Sequence, residues 1–318
     1  MRAILLLALT AVALAEDPVA ALCRKNVQLS FEPTAGYLPA LLDALHIPVE
    51  SQIAVFSKTS IQSMRIEPSN PRLLYFNDSV SVGYVHGGFI EIAAQDPGRG
   101  LQFYTIQQRP NERITPREDC LNCHKSRTAL LRSVATSPDG IPLREINQPF
   151  GGWFVTGSIL PVAHMGNIAF SNSEKRDLPP TAASDIVALT IFAHQMRMTN
   201  LFAHPDDVNA LVDELLFVNE PPLHIHGSSG FAEKFSAAGP FDHCGRSLRD
   251  LDLDTHLMRY PCSYMIYTPA FDAIPAAAKD AIYRRMWTVL SQKDAAARRA
   301  IIEILRDTKP DLPAYFSN

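Results

Sequence analysis

The sequence predicts an α+β protein in which an antiparallel β meander comes first and a mainly helical half follows. Short runs of aromatic and β-branched residues alternate with turn sequences between residues 72 and 106, a pattern typical of a meander. After Pro179 the pattern changes to apolar residues at helical spacing, with capping residues before them. We expect one composite domain over residues 16–318, β-rich over 50–160 and helical over 180–310.

The meander is predicted from four runs that can each form a strand. The sequences between them are rich in Asn, Asp, Gly and Pro, which tolerate the backbone angles of tight turns. A short amphipathic helix is predicted before the meander, over 37–46, and a further strand after it, over 152–160. The four runs are 73–76, 80–85, 89–92 and 101–106.

Helices are predicted along the C-terminal half from their caps and apolar spacing. Thr181 or Ser184 can cap the first, because a hydroxyl group accepts hydrogen bonds from the unpaired N–H groups of a helix start. The second begins at Pro205, with two acidic residues in its first turn. The helices are predicted over 184–204, 205–217, 229–238, 276–290 and 295–306.

Residues 1–15 have the pattern of a secretory signal peptide. Arg2 precedes an apolar run from Ala3 to Ala15 that Thr10 alone interrupts, and Glu16 follows. We expect cleavage after Ala15 and export of the protein. The run is too short for a permanent anchor and no later stretch is long and apolar enough, so no integral membrane segment is expected in the mature chain.

The pentapeptide Cys120-Leu121-Asn122-Cys123-His124 is the pattern for covalent attachment of a c-type haem. Two thiols separated by two residues can each form a thioether with a vinyl group of the haem, and the next imidazole can bind the iron. Cys120 and Cys123 are therefore predicted to anchor one haem c, with His124 as the proximal iron ligand. Because haem c is attached after export, motif and signal peptide together favour a bacterial periplasm.

Other uses of a Cys-x-x-Cys pair fit the sequence less well. A zinc site needs two further ligands at similar spacing, and the chain has no second such pair. A thioredoxin-like pair opens a helix after a buried strand, whereas Cys120 follows the polar stretch 109–119. A small all-helical cytochrome c opens with its haem motif, so the meander before Cys120 argues against that fold.

His194 is one candidate for the sixth iron ligand. In the predicted helix it shares a face with Val187, Ile191, Met198 and Leu201, so its imidazole could meet a haem in an apolar pocket. The alternative is a core histidine held by one hydrogen bond, with Met198 filling space beside it.

His164 is the other candidate, and Met165 is its neighbour. Gly166 and Asn167 follow, and these turn residues could present either side chain to the iron. A sixth ligand suits an electron carrier, because six-coordinate iron changes little between redox states. An open position favours catalysis or gas binding instead.

Other histidines and cysteines offer weaker signals. His224 and His226 would share one side of an extended segment and could bind a metal, with a surface loop as the alternative. Of the cysteines outside the motif, Cys244 and Cys262 are closest in sequence and could form a disulfide. The alternative is that these two and Cys23 are reduced, buried thiols.

Side chains that could contact a haem are also present. Arg127 and Arg132 follow the motif and could pair with the haem propionates, with exposed charge as the alternative. Trp153, with Tyr75 or Tyr104, could form a wall of the haem pocket or belong to an ordinary core.

The charge balance bears on partners. The chain holds 29 Lys and Arg against 33 Asp and Glu, a formal net charge of −4. Nucleic acid is therefore not expected as a partner, because its binding needs a basic surface. An electron carrier would instead require a redox partner protein.

Several stretches form a pattern that extends over most of the mature chain. They are 51–60, 75–78, 151–157, 164–167, 184–189, 194–195, 245–250 and 260–264. Through them the chain resembles a family of exported bacterial proteins with a monohaem Cys-x-x-Cys-His cytochrome c domain. The resemblance implies one covalent haem at Cys120, Cys123 and His124 in one long unit. It implies no particular reaction.

Two departures from the family pattern affect the candidate ligands. Family members carry a His where this chain has Ala183, which leaves His164 and His194 for the iron. They also lack Cys244 and the pair of histidines around Ile225, which argues against a second metal and a disulfide.

Three functional hypotheses follow from the sequence. The first is a periplasmic protein that transfers electrons through one covalent haem. The second is a peroxidase-like haem oxidoreductase with an open sixth iron position and a distal acid/base group. The third is a haem-based sensor or binding module. Carbon monoxide separates them, because it binds only iron with an accessible sixth position.

Overall fold

The predicted meander lies at the centre of a computed structural model that describes residues 16–58, 60–125, 128–129, 152–159, 168–169, 180–220, 222–292 and 296–317. Four of its strands, β2 to β5 below, correspond to the four predicted runs. The strands are β1 Ile53–Val55, β2 Arg72–Phe76, β3 Val80–Tyr84, β4 Ile90–Asp96, β5 Gly100–Ile106, β6 Thr115–Pro116, β7 Trp153–Val155, β8 Ser158–Ile159, β9 Ile168–Ala169 and β10 Ile225–His226.

Within these ranges eight strands form one sheet in the order β6-β5-β4-β3-β2-β1-β7-β9. Neighbours are antiparallel except β7 and β9, which run parallel. Strands β8 and β10 form a separate antiparallel pair. The antiparallel meander before residue 120 is thereby confirmed.

Side-chain caps close the turns of the meander as the sequence predicts. Between β2 and β3, the Asn77 Oδ1 atom accepts hydrogen bonds from the backbone of Ser79 and Val80 at 3.0 and 2.9 Å. Between β4 and β5, Asp96 accepts from the backbone of Gly98 and Arg99 at 3.0 and 2.8 Å. Asn and Asp favour such turns because their short side chains can pair with the backbone two residues on.

The sheet has two buried faces, because successive side chains of a strand point to opposite sides. One face, here called the α2 face, carries residues such as Val82 and Ile92 and packs against the two N-terminal helices. The other, called the α3 face, carries Leu74 and Phe76 and packs against the C-terminal helices. The same strands therefore contribute to two hydrophobic cores.

The C-terminal half is mainly helical, as predicted, so the α+β class is confirmed and the small all-helical fold is excluded. The predicted helices correspond to α2 to α5, α7 and α8 below. In the described ranges no helix is both long and apolar enough to span a membrane. The helices are α1 Pro18–Arg24, α2 Leu38–Ala44, α3 Ile186–Ala203, α4 Val208–Leu215, α5 Phe231–Ala237, α6 Pro269–Asp272, α7 Ala276–Leu290 and α8 Ala296–Thr308.

Helix α3 is fixed by its N-cap, Asp185, so the prediction of Thr181 or Ser184 as the cap is wrong. The Ser184 hydroxyl donates instead to the Phe154 carbonyl at 2.6 Å. One carboxylate oxygen of Asp185 accepts from the backbone N–H groups of Val187 and Ala188 at 2.8 and 3.1 Å. The other accepts from those of Ser228 and Ser229 at 2.6 and 2.8 Å. Twelve of the eighteen residues of α3 are buried, so this helix is enclosed on more than one side.

Helix α1 was not expected from the sequence. Its cap is Asp17, whose carboxylate accepts from the backbone of Val19 and Ala20 at 2.9 Å and from the Tyr104 hydroxyl at 2.7 Å. The last bond joins the helix to β5, a long-range contact that no local pattern reveals.

The strand predicted over 152–160 is divided in two. Strand β7 joins the large sheet beside β1, whereas β8 pairs with β10. The chain turns away between them at Gly157, which has a φ of +115°. The backbone of Thr156 pairs instead with Ser184 and Ile186 at the start of α3, at 2.7 and 3.1 Å. The predicted signal peptide, residues 1–15, lies outside the described residues.

Candidate functional site

The Cys-x-x-Cys-His motif lies in a tight turn directly after β6, at one end of the sheet. A 3₁₀ helix spans Asp119–Asn122. The N–H groups of Cys123 and His124 both donate to the Cys120 carbonyl, at 3.1 and 2.9 Å. This turn brings the two thiols and the imidazole to one cavity of about 350 Å³, here called the motif cavity.

The His124 ring is oriented by two contacts. Its Nδ1 atom lies 2.9 Å from the Thr128 carbonyl oxygen and must donate to it, because a carbonyl only accepts. In a neutral imidazole the lone pair then belongs to Nε2, the nitrogen that could bind a metal. The ring also packs on Phe103, with ring centroids 4.7 Å apart. A hydrogen bond of this kind is what fixes the tautomer of metal-binding histidines.

Asn200 of α3 holds the segment that follows the motif. It accepts from the Ala129 N–H at 2.6 Å and donates to the Ala129 carbonyl at 2.8 Å. Ala129 itself packs in a small hydrophobic cluster with Leu101 and Phe103, and Cys120 and Met196 border this cluster. Helix α3 and the motif are therefore attached to each other directly.

The walls of the motif cavity come from the α3 face of the sheet and from α3. Where β3 and β4 face the cavity, they carry small residues that leave its volume open. These residues are Ser81, Gly83 and Ala93. Phe192 and Met196, one helical turn apart on α3, line the opposite side. Apolar walls with a few polar groups are typical of cofactor pockets.

Charged groups of both signs also line the motif cavity. The Arg72 guanidinium lies 2.6 Å from the Glu91 carboxylate, and the Ser60 hydroxyl donates to that carboxylate at 2.8 Å. Lys58 lies at the same cavity and is exposed.

The Cys120 side chain is a neutral thiol at physiological pH. Burial, together with the charges of Asp119 and Glu91, raises the pKa of Cys120 to about 11. A thiol with so high a pKa is rarely ionised at neutral pH, and the ionised thiolate is the form that binds zinc or exchanges disulfides. The environment of Cys120 thus argues against a thioredoxin-like pair, whereas a bound zinc ion would deprotonate its own cysteine ligands.

His194 is placed away from the motif cavity, in the helical core. Its Nε2 atom lies 2.7 Å from the Ser263 hydroxyl, its Nδ1 atom lies 3.4 Å from Glu214, and its ring stacks on Phe217 at 4.6 Å. It is not among the described residues that line the cavity. The predicted helix face is therefore buried as expected, but the structure does not bring His194 together with His124.

Ser263, His194 and Glu214 have the order of a Ser-His-acid triad. Such a triad needs a serine that substrate can reach. Ser263 is fully buried, and its oxygen also accepts from the Met265 N–H at 3.2 Å as the cap of a short helix. These bonds hold the core together and offer no access for a substrate.

Several other predicted residues cannot be compared with the structure. His164, Met165, Arg127 and Arg132 lie outside the described residues. Their roles stay predictions.

The aromatic residues that were predicted to wall a haem divide between the two faces. Trp153 lines the motif cavity. Tyr75 lies on the α2 face, where its hydroxyl donates to Gln52 at 2.7 Å. Tyr104 also lines the motif cavity, although its hydroxyl donates to Asp17.

The remaining histidines and cysteines do not assemble at the motif. His226 belongs to β10, with its Nε2 atom 3.7 Å from Asp254. All five cysteines lie in the described part of the chain and are unbridged there, with Cys262 buried and Cys23 and Cys244 exposed.

Asp242, His243 and Cys244 place three possible metal-binding atoms within 4.8 Å of one another. Both Asp242 oxygens already accept hydrogen bonds, one from the backbone of Cys244 and Arg246 and the other from the Arg246 guanidinium. The buried carboxylate is thus used to close a loop, and the group is a weak metal site.

A larger cavity of about 820 Å³ lies on the α2 face, between α2 and strands β2 and β3. It is mainly apolar, with Leu38, Leu42 and Ile47 in its walls. None of the residues predicted to bind a cofactor lines it. The motif cavity is therefore the candidate functional site.

Met196, Asn200 and Arg72 belong to this site and were not predicted. Phe192, Met196 and Asn200 follow one another at intervals of four, so the sequence contained a signal for a common helix face. Arg72 is brought to the cavity by strand pairing, which no local sequence pattern indicates.

Comparison of the chain with family models, with curated proteins and with solved structures finds no match in any of the three. The site itself is therefore what indicates the function of this chain.

Proposed function

We propose that this chain is an exported c-type haem protein that transfers electrons through one covalent haem. The observation that carries the proposal is that Cys120, Cys123 and His124 line one cavity. Two thiols and an imidazole with an oriented ring are the donor set that haem c attachment requires. In this proposal Cys120 and Cys123 form the thioethers and His124 is the proximal ligand.

The surroundings of the motif suit a haem. Phe103, Trp153 and Phe192 supply apolar walls, and Arg72 and Lys58 supply cationic groups that could meet the propionates. When bound, the haem would supply the one-electron iron couple. The protein would orient His124 through Thr128, hold the motif against α3 through Asn200 and limit access of water to the iron.

The sixth ligand decides between carrier and enzyme. Of the described residues that line the motif cavity, Met196 has the one thioether, and His124 has the one imidazole. His164 stays a candidate because it lies outside the described ranges, whereas His194 would have to leave Ser263 to reach the iron. A haem oxidoreductase or sensor is therefore the second candidate, favoured by the position of His194 in the core.

Location, partner and family are part of the same proposal. The signal-like sequence before Glu16 and the chemistry of haem attachment favour the periplasm. A redox protein is the expected partner, and nucleic acid is not. Membership in the exported monohaem family rests on the sequence stretches described above.

The proposal is tested by expressing the full chain with its signal in a bacterium that has haem c maturation machinery. We expect haem that stays with the denatured protein, and a low-spin spectrum that carbon monoxide does not change. A carbon monoxide shift would favour the oxidoreductase or sensor. Protein that matures without haem would refute the proposal.

A further inference from the structure

Arg72 reaches across a neighbouring strand to enter the motif cavity. It begins β2, its guanidinium passes over Gly83 of β3, and it meets Glu91 of β4. Gly83 lies opposite both Leu74 and Glu91 in the sheet. The guanidinium therefore lies across the middle of the meander, on the face that carries the motif.

Gly83 is what makes room for the guanidinium. A Cβ atom at position 83 would lie 2.6 Å from the Nη2 atom of Arg72 and 2.8 Å from its Nε atom. Both distances are far below a van der Waals contact, so any other residue here would push the guanidinium away. Strand interiors disfavour glycine, and glycine there often marks a close approach of another group.

The ion pair with Glu91 does not use the hydrogen-bonding capacity of Arg72. The Arg72 Nη2 and Glu91 Oε2 atoms are 2.6 Å apart, yet Glu91 Oε2 has no hydrogen-bond partner among the described residues. The contact thus brings opposite charges together without the geometry of a hydrogen bond. Arg72 Nε is likewise buried without a partner there.

The two side chains are also well shielded from solvent. The Arg72 side chain is 23% exposed, and the Glu91 side chain is 15% exposed. A guanidinium has five N–H donors in a planar fork that matches a carboxylate. A shielded guanidinium whose Nε–H donor has no partner among the described residues points to a further anionic oxygen in the cavity.

We infer that Arg72 binds a propionate carboxylate of the haem, with Gly83 and Glu91 as its positioning residues. The inference rests on the proposed function, because the propionates are the acidic groups of a haem. Arg72 fits the role better than Lys58, since it is held in place at the cavity and can bind a carboxylate with two parallel hydrogen bonds.

The test compares Arg72→Gln, Gly83→Ala and the double variant, each isolated with covalent haem. The readouts are the propionate bending mode in resonance Raman spectra and the reduction potential. Arg72→Gln should shift the propionate mode and lower the potential, because a positive charge near the haem stabilises the reduced form. Gly83→Ala should do the same, since the new methyl group displaces the guanidinium.

The double variant shows whether the two positions act through the same contact. We expect it to match Arg72→Gln alone, because Gly83→Ala has no guanidinium left to displace. Additive shifts would overturn the assigned role of Gly83. Arg284→Gln, which removes an exposed arginine of α7 that does not line the cavity, should leave both readouts unchanged.

A second double variant separates propionate binding from simple neutralisation of Glu91. In Arg72→Gln/Glu91→Gln both charges are removed, so a purely structural ion pair predicts return to the wild-type propionate mode. We expect the mode to stay shifted, and a return would overturn the inference. If Gly83→Ala does not fold, Arg72→Lys replaces it, and a wild-type propionate mode there would count against the fork geometry.

Failure of this inference differs from failure of the proposed function. Wild-type protein without haem would refute the function. Wild-type protein with covalent haem, together with an Arg72→Gln variant indistinguishable from it, would refute the role of Arg72 alone.

Discussion

The side-chain amide of Asn200 pairs with both backbone polar groups of Ala129, at 2.6 and 2.8 Å. This pair attaches the segment after Cys120-x-x-Cys-His to helix α3, one turn beyond Met196. Together with the packing of His124 on Phe103, it adds a long-range contact to the local bonds of the motif turn. The cavity walls supplied by α3 and by the sheet thus keep a fixed relation to the attachment residues.

Replacing Asn200 by Ala should loosen this attachment. Both the N–H and the carbonyl of Ala129 lose their partner, so we expect the free energy of unfolding to fall by about 1–3 kcal/mol. Hydrogen exchange at residue 129 should become faster. Asn209→Ala, at an exposed position of α4, is the control and should change stability by no more than about 0.5 kcal/mol. Equal behaviour of the two variants would contradict the prediction.

Removing both motif thiols should abolish covalent haem. We expect Cys120→Ala/Cys123→Ala to mature without any mass increase for haem, because no thioether can form, whereas Cys23→Ala/Cys244→Ala should retain it. His124→Ala should keep the covalent haem and change its absorption spectrum. Mass spectrometry of the denatured proteins measures all three. Covalent haem in Cys120→Ala/Cys123→Ala would refute the assignment of the motif.

Replacing His194 by Gln should weaken the fold and leave the haem spectrum unchanged. The imidazole bonds to Ser263 in a buried core, so the free energy of unfolding should fall by about 1–3 kcal/mol. Ser263→Ala removes the same bond and leaves the imidazole in place. If only His194→Gln changes the spectrum of the iron, His194 is an iron ligand after all.

Stability should fall as pH rises between about 4.5 and 7. Burial raises the pKa of Glu220 from 4.5 to about 7, and the charges of Glu214 and Asp252 add to the rise. In this interval the folded state retains a proton that the unfolded chain has released, so it binds more protons and loses stability with rising pH. Glu220 contributes about 3 kcal/mol to the free energy of unfolding. This contribution is complete below pH 4.5 and is lost above pH 7.

The Glu220→Gln variant should not show this loss. Urea unfolding at several pH values measures it, with Glu233→Gln, an exposed residue of α5, as the control. His256 lies 3.7 Å from the Glu220 carboxylate, so the series is repeated with His256→Gln to separate the two titrations. An unchanged pH slope in Glu220→Gln would show that the loss arises elsewhere.

Local chemistry made much of this architecture predictable. The turn after Phe76 depends on Asn77, which acts on residues two and three positions away. The start of α3 is equally local, although its cap is Asp185 and not the predicted Thr181 or Ser184. The motif is equally local, because one turn brings Cys120, Cys123 and His124 together.

Local sequence patterns do not predict which face of α3 meets the motif cavity. The sequence indicates a buried stripe through Ile191, His194 and Met198, and these residues are buried. Because α3 is enclosed on several sides, that stripe does not reveal which side meets the sheet. The side that meets the motif cavity carries Phe192 and Met196 instead.

The arrangement of Arg72, Gly83 and Glu91 depends on the register of three strands. The strand pattern predicts that these segments pair, but it does not fix which residues come to lie side by side. A shift by one residue would turn Glu91 to the α2 face. The charged part of the site therefore emerges only from the assembled sheet.

Strand β1 has one neighbour that precedes the attachment motif in the chain and one that follows it. It pairs with β2 and with β7, and only β7 comes after His124. Hairpins β2 to β5 need short loop closures, whereas the pairing of β7 with β1 closes a loop of nearly a hundred residues, from Val55 to Trp153. We expect the hairpins of β2 to β5 to form first, while the motif thiols are still accessible. Strand β7 then pairs with β1 and completes this part of the sheet. If the proposed function holds, this interval is when a haem could be attached to Cys120 and Cys123. Pulse alkylation of Cys120, which is partly buried in the folded protein, tests this during refolding, since protection of its thiol before that of the meander amides would reverse the order.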